Sequence, residues 1–161
     1  MVGGTFSPFH AGHRRLLERT FALAGRNGQV VIGLTTDEFA GRKRHPVMPF
    51  AERRRVLEEF ISSCGTSARW VIHPLSDRFG PAVEEDFDAL VVSEETAAVA
   101  QEINRIRKER GMGKVDIHQI ACVFADDGRW ISSTRILAGE IDPEGHLVRR
   151  KKRVKGKRRP E

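Results

Sequence analysis

Two short stretches of this sequence concentrate side chains able to handle phosphate. The first, Gly3-Gly4-Thr5-Phe6-Ser7-Pro8-Phe9-His10-Ala11-Gly12-His13, sets two histidines three residues apart around a glycine, behind a Gly-Gly pair and a threonine hydroxyl. Glycines let the backbone approach a ligand closely, and a helix that begins after such a turn points its first amides at an anion. Two imidazoles on one turn can each donate a ring N–H to an oxygen whose charge grows in a transition state. Two isolated histidines would ordinarily be capping or solvent-facing groups; the Gly-Gly-Thr-Phe and proline context moves the reading to phosphate. Zinc is the rival chemistry, but it needs further ligands and none is obvious nearby. The second stretch is Ile131-Ser132-Ser133-Thr134-Arg135. Hydroxyls there suit triphosphate oxygens, and the guanidinium can neutralise a leaving pyrophosphate. Alone, that stretch would be a plain Ser/Thr helix cap.

Two further groups gain meaning only beside these. Lys43, Arg44 and His45 form a basic loop that is either solvated or a mobile clamp on converging phosphates. Ser93-Glu94-Glu95-Thr96 either recognises a base or caps the helix that follows.

The pattern of apolar residues supplies the elements that must carry these groups. Leu16, Leu17, Phe21 and Ala24 recur at helical spacing from Arg14 until Gly25 and Asn27-Gly28 interrupt them. Gln29–Thr35 is a continuous β-branched run, the signature of a strand covered on both faces of a parallel sheet. A helix start at Thr36-Asp37-Glu38 precedes the loop from Gly41 to Pro49, and Val56, Leu57, Phe60 and Ile61 predict a long helix from Phe50 that ends near Ser63 to Gly65. Strands are predicted at Arg69–Leu75, Ala89–Ser93 and Val115–Val123. Helices are predicted from Glu94 to about Arg110 and after Ser132, with a turn at Asp127-Gly128. This alternation argues a doubly wound α/β sheet, whose ligands sit beyond the carboxyl ends of the strands. The loops 3–13, 36–49, 93–96 and 126–135 fall at those ends.

Composition excludes several classes. With 161 residues, 39% hydrophobic and 31% charged, the chain fits one domain. No apolar run approaches the roughly 20 residues that span a bilayer, and the N-terminus lacks a secretory pattern, so no membrane association and a cytoplasmic location are expected. Cys64 and Cys122 stand far apart, are expected to be buried, and suggest neither a disulfide nor a zinc site. The net charge of +6 is unevenly placed: Arg149 to Glu161 holds nine Lys/Arg and one Glu, whereas the rest has 19 basic and 21 acidic residues. A near-neutral body with a basic, expectedly disordered tail makes nucleic-acid binding an option of the tail alone.

The pairing of GGTFSPFHAGH with ISSTR resembles the HxGH nucleotidylyltransferase superfamily, and within it the archaeal and eukaryotic-type phosphopantetheine adenylyltransferases. The closer likeness rests on GLTTDE at Gly33 to Glu38, PFAER at Pro49 to Arg53, VVSEET at Val91 to Thr96 and NRIRKERG at Asn104 to Gly111. It also includes ISSTRI at Ile131 to Ile136 and GEID at Gly139 to Asp142. Together these span roughly Gly3 to Gly145. Three positions depart from the pattern: only Met1-Val2 precede the Gly-Gly pair, which predicts a short first strand; Ser7 stands where Asp is common; and Leu137 stands where a basic residue is common.

The resemblance implies a single-domain, Rossmann-like nucleotidyltransferase fold over residues 1–148, with 149–161 as the tail. It implies transfer of adenylate from ATP to 4′-phosphopantetheine, giving dephospho-coenzyme A and pyrophosphate, with Mg²⁺ carried on the ATP phosphates and no metal ligands from the protein. His10 and His13 would contact those phosphates and, with Lys43, would be the catalytic residues. Thr5 and Phe6 would lie where nucleotide meets acceptor. Glu94, Gly128, Ile131, Ser132, Ser133 and Thr134 would line the nucleotide, and Arg135 would lie near its β- and γ-phosphates. Lys43 would hold the acceptor phosphate, with Arg44 and His45 as alternatives and Ser93 beside it. The acceptor, a phosphate monoester with a second pKa near 6, is largely a dianion at neutral pH and needs no general base. The alternatives are a nicotinamide-mononucleotide adenylyltransferase, a cytidylyltransferase, or a nucleic-acid-binding protein that uses the basic tail.

Overall fold

Five parallel strands, β1 (Val2–Gly4), β2 (Gln29–Thr35), β3 (Arg69–Leu75), β4 (Ala89–Val92) and β5 (Asp116–Gln119), pair in the order β3-β2-β1-β4-β5. The structure, a computed structural model, describes residues 1–43 and 45–148; Arg44 and the expected tail at 149–161 lie outside the described residues. Helices α1 (Ala11–Ala24), α2 (Asp37–Ala40), α3 (Phe50–Ser63), α4 (Ala97–Glu109) and α5 (Ser133–Leu137) fill the connections, with a 3₁₀ turn at Gly80–Val83. The chain winds outward from β1 to β3, then returns to the other side of β1 to lay down β4. That reversal between β1 and β4 is the switch point of the predicted doubly wound α/β sheet.

Alternation along the strands divides the core between the two faces. Val91 packs with Leu16, Leu17 and Phe21 of α1 and Leu57 and Ile61 of α3. Its neighbours Leu90 and Val92 pack with Ala100 and Ile103 of α4 and with Ala82 and Val83. On β2, Val30, Ile32 and Leu34 seal one face almost wholly, while on the other Val31 is half-buried and Gly33 and Thr35 are buried, so both faces are covered towards the carboxyl end. A third, small cluster of Ala125, Ile131 and Ile141 supports the segment after β5.

The glycines of β1 and β2 make room for one leucine. A Cβ at Gly33 would lie 2.6 Å from Leu75 Cδ1, and one at Gly3 would lie 3.3 Å from the same atom. Leu75 thus fills the space across the carboxyl ends of both strands.

Several boundaries move from their sequence positions. Helix α1 begins at Ala11 instead of Arg14, because His10 itself caps it: the backbone N–H of Gly12 donates to His10 Nδ1 at 3.1 Å. Helix α4 begins at Ala97, three residues later than Glu94, because Ser93–Thr96 is spent on a turn in which Thr96 Oγ1 accepts from the Ser93 N–H. Strand β5 stops at Gln119 where Val123 was expected. After the Ile120 N–H donates to Val92 O, the chain leaves the sheet edge and reaches an antiparallel bridge between Phe124 and Trp130 over the third cluster. The cysteines also differ from expectation: Cys64 is exposed at the C-cap of α3, and Cys122 is half-buried.

Candidate active site

A cavity of about 370 Å³ opens at the switch point, beyond the carboxyl ends of β1 and β4. Of the residues singled out from the sequence, it brings together Thr5, Phe6, His10, His13, Lys43, His45 and Ser93, with Ile131, Ser132, Ser133 and Thr134 opposite. Segments distant in the chain therefore converge on one space.

The histidine wall is built by a sharp exit from β1. Phe6 has φ of 52°, a left-handed conformation costly for a bulky residue, and it is almost fully buried. Its ring folds back over Gly4, where a Cβ would lie 3.2 Å from it. The same ring meets His13 with centroids 5.1 Å apart, and Phe9 stacks on His13 at 5.8 Å. His10 and His13 stack on each other with centroids 3.7 Å apart and planes 23° from parallel. Gly12 leaves room for this arrangement: a Cβ there would sit 3.0 Å from His10 Cε1 and 3.1 Å from Nδ1, so the ring would have to give way slightly.

Both imidazoles are held neutral. Burial, reinforced by the nearby Arg14 charge, lowers the His10 pKa to about 4. His13 is pushed well below the ordinary histidine range by burial first, then by His10 and Lys43. For His10 the tautomer follows from geometry: Nδ1 accepts from Gly12, so the ring proton sits on Nε2, available to donate. His13 Nδ1 is buried and makes no hydrogen bond among the described residues.

The helix amides contribute less than their position suggests. The Ala11 N–H donates to Pro143 O at 3.0 Å, the Gly12 N–H to His10, and the Arg14 N–H to His10 O. Three of the first four donors are thus committed inside the protein, and the expectation of a helix terminus open to an anion gives way to a pair of side-chain donors. The Pro143 contact belongs to the turn Asp142–His146, which also pairs Glu144 with Arg14 and receives the Asp126 N–H on Gly145 O. This turn joins the histidine wall to the loop before α5.

Lys43 faces the histidines from the β2 side and remains exposed; its pKa is lowered by partial desolvation, an effect opposed by Glu95 across the cavity and assisted by Arg53. Glu95 thus occupies the place on the cavity wall that the sequence reading gave to Glu94, whose side chain lies outside it. Nothing in the pattern VVSEET separates two adjacent glutamates; the Ser93–Thr96 turn does.

Arg135 is placed differently from its expected phosphate contact. Its guanidinium donates to Asp127 Oδ2 at 2.6 Å, to Glu140 Oε2 at 3.1 Å and to Trp130 O at 2.7 Å. With both carboxylates and a carbonyl engaged, its charge is spent on holding the 127–135 loop to Glu140. Arg135 and Gly128 line a shallower groove beside the cavity, together with Trp130, Glu95 and Ser132. Leu137, at the position where a basic residue is common, is exposed.

Two other residues were missed by sequence reasoning. Arg53 is fully buried beneath the Lys43 loop, and Cys122 lies on the cavity wall. No sequence signal marks Cys122; Arg53 sits within the quoted PFAER stretch but carries a charge, which reads as solvent-facing. Among the described residues, no cluster of three or more His, Cys, Asp or Glu side chains is placed to hold a metal ion, and no helix is long and apolar enough to cross a membrane.

Comparison with known proteins places the chain in a family. The cytidylyltransferase-like family model matches residues 1–139. A protein of Methanothermobacter thermautotrophicus named phosphopantetheine adenylyltransferase is 48% identical over 150 residues, covering 92% of this chain and 88% of the relative. One of the same name from Methanosarcina barkeri is 47% identical over 155 residues, covering 96% and 93%. A solved structure from Archaeoglobus fulgidus, described as a protein of unknown function, superposes with a TM-score of 0.67 at 33% identity, covering 75% of this chain and 98% of that one.

Proposed function

The chain belongs to the cytidylyltransferase-like family, and from that membership we propose that it is a nucleotidyltransferase that moves adenylate from ATP to 4′-phosphopantetheine, giving dephospho-coenzyme A and pyrophosphate. The observation that carries the reading is the stacked pair of neutral imidazoles on a cavity whose other walls hold Lys43 and the Ser132–Thr134 hydroxyls. The name shared by relatives at 47–48% identity over most of the chain supports the choice of acceptor.

In this proposal the acceptor phosphate dianion attacks the α-phosphorus of ATP, forming the new phosphorus–oxygen bond as the bond to pyrophosphate breaks. No protein base is needed, because the nucleophile already lacks its second proton above pH about 6. The protein's part is alignment and charge stabilisation. His10, with Nε2–H free to donate, and His13 beside it hydrogen-bond the oxygens that gain charge. Their neutrality suits them to that task in a site already carrying Lys43. Thr5 and Phe6 sit where nucleotide and acceptor meet, Lys43 holds the acceptor phosphate, and Ser93 lies beside it. Ile131 and the Ser132, Ser133 and Thr134 hydroxyls line the nucleotide, with Arg135 keeping their loop in place. Magnesium is part of the proposal as the partner ion of the ATP phosphates, where it neutralises their charge. A cytoplasmic location belongs to the same reading.

The test is pyrophosphate release from ATP with 4′-phosphopantetheine, nicotinamide mononucleotide and a choline- or glycerol-type phosphate ester offered separately. Release with 4′-phosphopantetheine alone is expected. Release with another acceptor only, or with none, overturns the proposal.

A further inference from the structure

We propose that Arg53 is a positioning residue that fixes the reach of Lys43 by pinning both ends of the loop that carries it; the link to catalysis rests on the proposed role of Lys43 as the acceptor-phosphate clamp. Arg53 lies in the first turn of α3 and is among the largest side chains wholly removed from solvent. A buried guanidinium is costly unless its five donors are used. Here Nη2 donates to Asp37 Oδ1 at 2.8 Å, at the start of the segment that leads to Lys43, and Nε donates to Met48 O at 2.6 Å, at its end. Nη1 donates to Thr35 O at 2.8 Å, to Thr35 Oγ1 at 3.1 Å and to Thr5 O at 3.3 Å. A single planar group thus ties the carboxyl ends of β1 and β2 to both feet of the loop.

Two further contacts close the base of the same loop. Asp37 Oδ1 also accepts the Phe50 N–H at 2.7 Å, and Ser7 Oγ accepts the Met48 N–H at 3.1 Å. Between these fixed feet the chain must arch, and Lys43, exposed on its outer side, lines the cavity from that arch together with His45. The Thr5 contact gives the arrangement its consequence. The same guanidinium holds the end of β1, from which the chain turns into the histidine wall, so the distance between Lys43 and that wall is set through Arg53. A lysine in its place has one nitrogen where the guanidinium has three in a rigid fork, and cannot reach all of these acceptors.

The experiment uses Asp37→Ala and Arg53→Lys in the full chain. The Asp37 side chain is 62% exposed, so its loss frees one foot of the loop without opening the core. Hydrogen exchange of the substrate-free protein should quicken at least about tenfold across residues 38–48 in both variants, with protection of β2 and α1 retained. In steady-state kinetics, KM for 4′-phosphopantetheine should rise at least about fivefold while KM for ATP changes less than about twofold. Unchanged exchange in 38–48 overturns the inference. So does a folded Arg53→Lys with wild-type acceptor KM, or an equal rise in both KM values with a lowered melting temperature, which is the mark of a merely structural role. A wild-type chain that releases no pyrophosphate with 4′-phosphopantetheine refutes the proposed function alone, since the exchange measurement needs no substrate.

Discussion

Acid should loosen this fold through its histidine wall, and the size of the effect can be worked out in advance. His10 has a folded-state pKa of about 4 against 6.5 for the free side chain, because its ring is packed between His13 and the start of α1. A histidine whose pKa is depressed on folding leaves stability intact above the unfolded pKa and withdraws it as pH falls towards the folded one, since the unfolded chain takes up the proton first. For a pKa of about 4 folded and about 6.5 unfolded, the loss is about 1.4 kcal/mol at pH 5.5 and about 2 kcal/mol at pH 5.0, saturating near 3.4 kcal/mol below pH 4. His13, shifted in the same direction, adds to it. The clean comparison is His10→Asn, which keeps an N-cap able to accept from Gly12 but removes the titrating ring. Between pH 7.5 and 5.0, urea unfolding of the wild type should lose about 2 kcal/mol more than the variant. In melting temperature that is about 4–8 °C for a chain of this size. Parallel stability profiles for the two proteins would refute both the buried neutral state of His10 and the electrostatic argument built on it.

Three further outcomes follow from the site. His13→Ala should lower turnover by about 10² to 10³ while the far-ultraviolet circular dichroism stays native, because it removes a donor from charged oxygens; an unchanged turnover number would sink the assignment. Gly12→Ala should part stability from activity: alanine suits a helix better by about 0.5–1 kcal/mol, yet its Cβ meets the His10 ring at 3.0 Å and must displace it. The melting temperature should therefore hold or rise while kcat/KM falls about tenfold or more, and full activity would show that the observed His10 orientation is dispensable. Chelating divalent ions should abolish pyrophosphate release and added Mg²⁺ should restore it, without moving the melting temperature of the substrate-free protein, because the ion travels with ATP; a chelator-induced loss of that stability would point to a metal held by the chain itself.

What could be read from the sequence was local. The bounds of β2 and β3 and the start of α3 agree with the sequence to the residue, and α3 ends within the range expected, since an apolar run or a helical period was punctuated at each end by Gly, Pro or a polar turn. What escaped depended on partners far away in the chain. From the sequence, capping by His10 gives way to phosphate binding, yet the ring caps α1 as well, because its acceptance from Gly12 depends on an orientation that His13 supports. The apolar run Val115–Val123 promised one strand, but only its first part finds a partner in β4; the remainder is drawn off to Ile131 and the third cluster. Arg135 looked like a free cation until Asp127 and Glu140 closed on it.

The same distinction bears on how the chemistry is controlled. Motif residues such as His10, His13 and Ser132 line the cavity, and in the proposed reaction would face the phosphates, but their protonation and spacing come from the residues packed around them. Neutrality of the histidines is imposed by burial under Phe6 and Phe9 and by neighbouring positive charge. The histidine wall and the loop before α5 are coupled through Pro143 and Gly145, which accept from Ala11 and Asp126. Arg53 ties the Lys43 loop to the ends of β1 and β2, and on the proposed reading aligns the acceptor wall. A chain that kept HAGH and ISST but lost these supports would retain the motif residues while both the distance to Lys43 and the charge state of the imidazoles drifted. Substitutions at Arg53 and Gly145 should therefore damage turnover out of proportion to their absence from the cavity wall.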